Sequence, residues 1–336
     1  TRSRRLSVIF AIAVGLVGLA NAQSLPDRAK LIEDAKKEGK VVFYTGASAN
    51  DGNALKVAFE RKYPFLKMEY FRAGKDKLLG KYLTEVRNNT FLPDVYQGSV
   101  FPLAALQQKG LLARYHSPER EAIHENLRDN NDYWAPVILN AMTITYNTRL
   151  VKGDDIPKSY NDLLLRKWKG RLGLDLNKTE WYVAMMQTLG EEKGRGYMEA
   201  LSKQNVQARD GNTIIGQLLA AGEFSLAVSQ YPTSVEEMKK SGAPIEWIPL
   251  QPHFVYAQVL ALTAKNSHPA AGKLFIDYCL SEEGQQVLKG ISRITVRKDV
   301  LPNPPKLIQG HKLLVVNPVS ADDYNRYNNE YHKYFR

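Results

Sequence analysis

Five short turns carry most of the residues with which this chain can do chemistry. They are Thr45-Gly-Ala-Ser48, Arg72-Ala-Gly74, Gln97-Gly-Ser99, Asp175-Leu-Asn-Lys-Thr179 and Arg209-Asp-Gly-Asn-Thr213. Four of the five contain a Ser or Thr hydroxyl and four contain glycine, and each leads from a strand-like run into a helical pattern. Unpaired backbone N–H groups at a helix start, flanked by small hydroxyl side chains, form a ready anion site. Arg72 adds a planar fork of donors suited to a carboxylate, phosphate or phosphonate. The same residue types cap helices and build turns in any fold, so each turn supports a capping role as well as a ligand contact. The candidate ligand contacts are Thr45, Gly46, Ser48, Arg72, Ser99, Asp175, Asn177, Trp181, Asn212, Thr213 and Tyr231. Trp181 stands one turn into its helix, where core packing is an equally open role, and Tyr231 stands at a strand end.

Catalytic patterns are missing. The six histidines, His116, His124, His253, His268, His311 and His332, stand in separate, mostly polar segments and form no metal pair at helical spacing. There is no HExxH run, no GxSxG elbow, and no Walker or dinucleotide glycine pattern. Cys279 lies in an amphipathic helical stretch without a nearby His and reads as a buried, inert thiol. Adjacent carboxylates at Glu191-Glu192 and Glu282-Glu283 point apart on a helix and read as solvated faces. No cofactor and no resident metal are expected. An exported hydrolase is the competing class, and these absences argue against it.

The turns need a scaffold that brings them together. Helical periodicity over 27–38 is followed by a strand at 40–45, a helix at about 53–62, a strand at 66–71 and a helix at 75–88. A strand at 93–97 and a helix at 102–109 complete that run. The middle repeats the alternation, with strands at 143–147, 171–174 and 224–229 and helices at 159–165, 180–189, 194–203 and 213–221. A long apolar strand at 255–263 and helices at 269–280 and 282–289 follow. Strand–helix alternation of this kind gives an α/β fold with a mostly parallel sheet and helices on both faces. Ligands then sit at the carboxyl ends of the strands, where these turns lie. Two extended segments, 134–141 and 248–258, read as crossings between two halves. Tyrosines 324, 327, 331 and 334 form a helical stripe, expected to pack on the body of the protein.

The start of the chain sets its address. Arg2, Arg4 and Arg5 precede an apolar run from Val8 to Ala20 and the small-residue site Ala20-Asn21-Ala22. This is the pattern of a secretory signal peptide cut after Ala22. The run has about 13 residues, against about 20 needed to span a bilayer. The rest has the balance of a large globular protein, 44% hydrophobic and 24% charged, without low-complexity tracts. The net charge of +11 is scattered among acids, which with export speaks against nucleic acid as a partner and for a solvated basic surface.

With these elements in place, the chain resembles the iron(III)-type periplasmic solute-binding proteins of ABC importers. The matching stretches are Val41-Val-Phe-Tyr-Thr-Gly46, Ala58-Phe-Glu-Arg-Lys-Tyr-Pro64, Pro93-Asp-Val-Tyr96, Ile144-Thr-Tyr-Asn-Thr148, Ser159-Tyr-Asn-Asp-Leu163, Trp168-Lys-Gly-Arg-Leu-Gly173, Ala220-Ala-Gly-Glu223, Leu280-Ser-Glu-Glu-Gly284 and Arg293-Ile-Thr-Val-Arg-Lys-Asp299. The resemblance implies a two-lobed type II periplasmic-binding-protein fold, each lobe a mixed, mostly parallel sheet flanked by helices, joined by two crossing strands. It divides the chain into a signal peptide (1–22), a discontinuous first lobe (23–139 plus 253–300), a second lobe (140–252) and a C-terminal helical segment packing on the lobes (301–336). It further implies a periplasmic monomer that closes on a small-molecule ligand and delivers it to the permease of an ABC importer in the inner membrane. Ferric-binding members place a His after the first strand, a Glu near Ser99 and adjacent tyrosines in the second lobe. Here Ser48 and Ser99 stand at the first two positions, and Ser229-Gln-Tyr-Pro232 offers Tyr231 alone. An organic or phosphorylated anion is therefore the expected ligand, with ferric ion, held in part by Tyr231, as the alternative.

Overall fold

A computed structural model describes residues 25–336; the expected signal segment lies outside them. Helix α1 (Leu25–Glu38) stops at Gly39, whose φ of +72° is a left-handed turn that suits glycine. Strand β1 (Lys40–Thr45), helix α2 (Ala49–Lys62), strand β2 (Lys67–Arg72), helix α3 (Lys75–Arg87), strand β3 (Val95–Ser99) and helix α4 (Val100–Gln108) follow. Strands β2, β1 and β3 pair in parallel, with Thr45 opposite both Arg72 and Gln97. Three strand ends, and the turns that leave them, therefore share one rim.

After the short β4 (Leu112–Ala113) comes β5 (Ala135–Asn147), longer than the expected strand because the predicted crossing continues into it without a break. The second sheet is built from β6 (Leu172–Asp175), α5 (Thr179–Leu189), α6 (Glu191–Ser202), β7 (Gln207–Arg209), α7 (Asn212–Ala221), β8 (Leu226–Gln230), α8 (Pro232–Lys240) and β9 (Ile245–Ile248). Here β6 runs parallel to β7 and β8, with Asp175 opposite Arg209. The chain returns through β10 (His253–Thr263), α9 (Pro269–Leu280), α10 (Glu282–Gly290), β11 (Leu313–Val315) and α11 (Ala321–Phe335).

The strand order is β2-β1-β3-β10-β5-β8-β6-β7. Strand β5 links the two sheets: Ala135–Met142 pairs with β10, and Thr143–Asn147 pairs with β8 and β9. This is the two-lobed, type II periplasmic-binding-protein architecture. Helix α2 starts four residues before its expected position because Ser48 accepts from the Asp51 N–H while Asp51 accepts from the Ser48 N–H. The segment expected as a helix at 159–165 is a 3₁₀ turn, Tyr160–Leu164. Cys279 is buried, as expected, and no helix among the described residues is long and apolar enough to cross a membrane.

One buried side chain locks β5 to the elements behind it. Gln285 is fully buried, donating to the carbonyls of Val137 and Cys279, each at 2.9 Å, and accepting from the Val296 N–H at 2.9 Å. A Gln285→Met side chain keeps the length but strands three buried backbone groups. Each costs on the order of 1 kcal/mol or more, so the loss of unfolding free energy is about 3 kcal/mol. Urea denaturation of the purified variant measures it; an unchanged midpoint would mean that water replaces the amide.

Candidate ligand-binding cleft

Two adjoining cavities lie where the strand ends of the two sheets face each other. The larger, about 460 Å³, is lined from the first lobe by Arg72, Gly74, Lys75, Asp76 and Lys77 and by Gln97-Gly98-Ser99. From the second lobe it takes Asp175, Asn177, Glu180, Gly211, Asn212 and Tyr231, with Tyr256 and Gln258 of β10 between. The smaller, about 260 Å³, shares Gly46, Asn212, Tyr231 and Gln258 and adds Ser48, Thr213, Thr233 and Ser234. Together they form one polar cleft.

Of the expected contacts, Gly46, Arg72, Ser99, Asp175, Asn177, Asn212 and Tyr231 line the larger cavity, and Ser48 and Thr213 the smaller. Two residues stand elsewhere. Thr45 is fully buried; its hydroxyl donates to Gln97 Oε1 at 2.6 Å and accepts from the Ala47 N–H. It supports the rim rather than facing the space. Trp181 is 1% exposed and lines neither cavity, because the whole first two turns of α5 are buried.

Helix starts dominate the lining. Helices α3 and α7 begin at Gly74 and Gly211 without a side-chain cap, so their first N–H groups remain available, whereas α8 opens on Pro232, which has none to offer. Ser48 and Ser99, by contrast, cap their own helices, accepting from Asp51 and Phe101 respectively. Arg72 donates from Nε to the Ala47 carbonyl at 2.8 Å, which fixes the guanidinium plane at the cavity edge. Asp175 accepts from the Asn177 and Gly211 N–H groups at 3.0 and 2.9 Å and so ties two turns of the second lobe together.

Local reading missed Lys75, Lys77, Glu180, Tyr256 and the buried Lys178. Lys75 and Lys77 were one step beyond the Arg72-Ala-Gly74 turn, since an uncapped helix start points its first residues at the same space. Tyr256 and Gln258 sit two apart on β10 and so share one face of the strand, a weak signal inside an apolar run. The phenols of Tyr231 and Tyr256 share a hydrogen bond of 2.6 Å, and Asn140 donates to Tyr256 at 3.0 Å. The second lobe thus supplies no adjacent tyrosine pair, but the fold assembles one from β10 and the end of β8. A bulge in β8, with Ser229 at φ +63°, delivers Tyr231 to that place.

Lys178 is 1% exposed, with Nζ 3.1 Å from the Tyr231 ring centre, 3.4 Å from Asn212 Oδ1 and 4.0 Å from Asp175 Oδ2. Burial pushes its pKa down to about 7, against the pull of Asp175 and Glu180. Burial works in the same way on Lys75, but Glu180 and Asp76 outweigh it and its pKa is raised. Burial, with the neighbouring phenol, also raises Tyr231 well above the ordinary tyrosine value. Among the described residues no group of three or more His, Cys, Asp or Glu is arranged to hold a metal ion.

Residues 92–317 match the family model of the bacterial extracellular solute-binding proteins. The chain belongs to that family. Its task is solute binding. This solute-binding protein is 22% identical over 229 residues to an Fe(3+)-binding periplasmic protein of Serratia marcescens, covering 65% of this chain and 67% of that one. A putative 2-aminoethylphosphonate-binding periplasmic protein of Salmonella typhimurium is 25% identical over 206 residues, covering 57% of this chain and 59% of the relative. In fold it is similar to the periplasmic binding protein AfuA from Actinobacillus pleuropneumoniae, solved with fructose-6-phosphate bound, at a TM-score of 0.77 and 22% identity. That alignment covers 88% of this chain and 98% of AfuA.

The depressed Lys178 pKa has a stability consequence. Between about pH 7 and 10 the unfolded chain holds a proton that the native lysine does not, so this group makes stability rise with pH across that window. Its slope approaches about 1.4 kcal/mol per pH unit where the difference is complete. Lys178→Met removes that contribution, and urea unfolding of both proteins at pH 7, 8 and 9 should show a flatter curve for the variant.

Proposed function

We propose that this protein is the periplasmic capture subunit of an ABC importer, that it works without catalysis, and that its ligand is a small organic or phosphorylated anion. Lobes spanning 23–139 plus 253–300 and 140–252 close on the ligand about β5 and the β9–β10 return, and the closed monomer is what the permease accepts. The C-terminal segment, 301–336, packs on both lobes.

The observation that carries the ligand class is the sorting of charge by lobe. Arg72, Lys75 and Lys77 outnumber Asp76 on the first-lobe wall beside the uncapped start of α3, which leaves that wall net positive. Asp175 and Glu180 face them from the second lobe. An anionic group fits the first wall, bound by ammonium, guanidinium and backbone N–H donors. Hydroxyl or amino groups at the other end of the same molecule fit the second wall and the hydroxyl-lined smaller cavity. The fructose-6-phosphate bound to AfuA and the 2-aminoethylphosphonate named for the Salmonella relative both have such a two-ended chemistry.

One observation favours a second reading, ferric ion as the cargo: the Tyr231–Tyr256 phenol pair. The Serratia relative is described as Fe(3+)-binding. Two tyrosinates on Fe(III) absorb visible light, so iron loading colours the protein under this reading and leaves it colourless under the first.

Thermal melting with inorganic phosphate, 2-aminoethylphosphonate, fructose-6-phosphate, citrate and Fe(III) separates these readings, because only a native-state ligand raises the midpoint. A rise with an organic or phosphorylated anion, absent with neutral sugars, is expected. Arg72→Ala should then weaken that anion by more than about 1.5 kcal/mol, roughly tenfold. Unchanged affinity by calorimetry would remove Arg72 from the contact set.

A further inference from the structure

Three aromatic residues of α11, two from the tyrosine stripe and the neighbouring Phe335, are accounted for by packing. Tyr327, Tyr331 and Phe335 are buried, and the rings of Tyr327 and Tyr331 lie 5.7 and 6.1 Å from that of Tyr182 on α5. Tyr324, the first of the stripe, turns the other way. Its ring stacks on Phe101 of α4, in the first lobe, with centroids 5.4 Å apart and planes 24° from parallel. Its hydroxyl donates to Glu180 Oε1 at 2.9 Å and accepts from Lys75 Nζ at 3.0 Å.

Those two partners line the larger cavity and come from opposite lobes. Lys75 opens α3 after β2, and Glu180 stands in the first turn of α5 after β6. Their charged atoms are 3.6 Å apart, too far for a good direct hydrogen bond. A phenol carries one donor and accepts through its lone pairs, so it can satisfy the carboxylate and the ammonium at once. Only one orientation of the hydroxyl does both. The lysine ammonium has three N–H donors, and with one spent on Tyr324 the others are left to be aimed into the cleft.

We infer that Tyr324 is a positioning residue of the ligand cleft, its hydroxyl joining Lys75 of one lobe to Glu180 of the other. The C-terminal helix thereby takes part in setting the anion-binding ammonium and in holding the two lobes together. Its effect on binding rests on the anion reading given above; the joint itself does not.

Tyr324→Phe in the full mature chain keeps the stack on Phe101 and deletes only the hydroxyl. Without ligand, a urea double-mutant cycle with Glu180→Gln tests the joint: the loss caused by Tyr324→Phe should shrink by at least about half in the Glu180→Gln background. Additive losses would overturn the inference. With ligand, calorimetry uses 2-aminoethylphosphonate, fructose-6-phosphate and inorganic phosphate. Tyr324→Phe should weaken whichever of them the wild type binds by about tenfold, and that loss should vanish in a Lys75→Met background. A role in folding alone would leave the affinity within twofold, and that result would overturn the inference while leaving the anion reading intact. A wild type that binds none of the three overturns the anion reading and the binding role with it, whatever the ligand-free cycle reports about the joint.

Discussion

Strand β5 belongs to two sheets at once. Up to Met142 it hydrogen-bonds to β10, and from Thr143 it bonds to β8 and β9. A strand has two edges only, so the change of partner forces the two sheets to meet along it and leaves their strand ends facing each other. The cleft follows from that constraint. Its floor consists of alternate residues of the paired strands, Ile138 and Asn140 on β5 opposite Gln258 and Tyr256 on β10. Residues two apart share a face, so no other register would put these four under the same space.

Much of this arrangement is legible in the chain itself. The run Lys40–Thr45 reads as a strand because four of its six residues are apolar or aromatic and a glycine stands on either side. The turns of β1, β3 and β6 read as cleft residues because hydroxyls and glycines follow strands directly, and Gly46, Ser99 and Asp175 do line the cavity. What local pattern does not carry is pairing at long range. Tyr256 is an aromatic in an apolar strand until Asn140, 116 positions away, and Tyr231 are set beside it. Helix α8 begins with proline at its first turn, a usable start signal, but its nine residues are mostly polar and too few to show a periodic face. Trp181 followed the opposite course: its position near a turn suggested the cleft, and the burial of the first two turns of α5 took it into the core.

Two lysines, the half-buried Lys75 that lines the cleft and the fully buried Lys178 against the Tyr231 ring, behave differently for a reason visible in their neighbours. Lys75 and Lys178 are both withdrawn from water, which disfavours the ammonium in each. At Lys75 the carboxylate of Glu180 is 3.6 Å away and the Tyr324 hydroxyl accepts a hydrogen bond, so the charge is held. At Lys178 the Asp175 Oδ2 atom is 4.0 Å away, the other oxygen of that carboxylate accepting from two backbone N–H groups, and an aromatic face is in contact instead. A cation over a ring gains less than one paired with a carboxylate, and burial prevails. One lysine therefore keeps its positive charge at the cleft wall, and the other, against the Tyr231 ring, holds its proton more weakly.

That contrast bears on what the cleft favours as cargo. To bind Fe(III), Tyr231 and Tyr256 must each lose a proton, and burial holds both above the ordinary phenol value. The cation nearest to Tyr231 that could stabilise a phenolate is Lys178, whose own charge is weakened by the same burial. Of the carboxylates that face the larger cavity, Asp175 is engaged by two backbone N–H groups and Glu180 by Tyr324, while Asp76 stands beside Lys75 on the first-lobe wall. An anion meets the reverse condition: Lys75 is charged, the guanidinium of Arg72 is oriented, and the first turns of α3 and α7 present N–H groups that no side chain has capped. Binding an anion asks these groups to give up water alone, whereas binding ferric ion asks two buried phenols to give up protons as well.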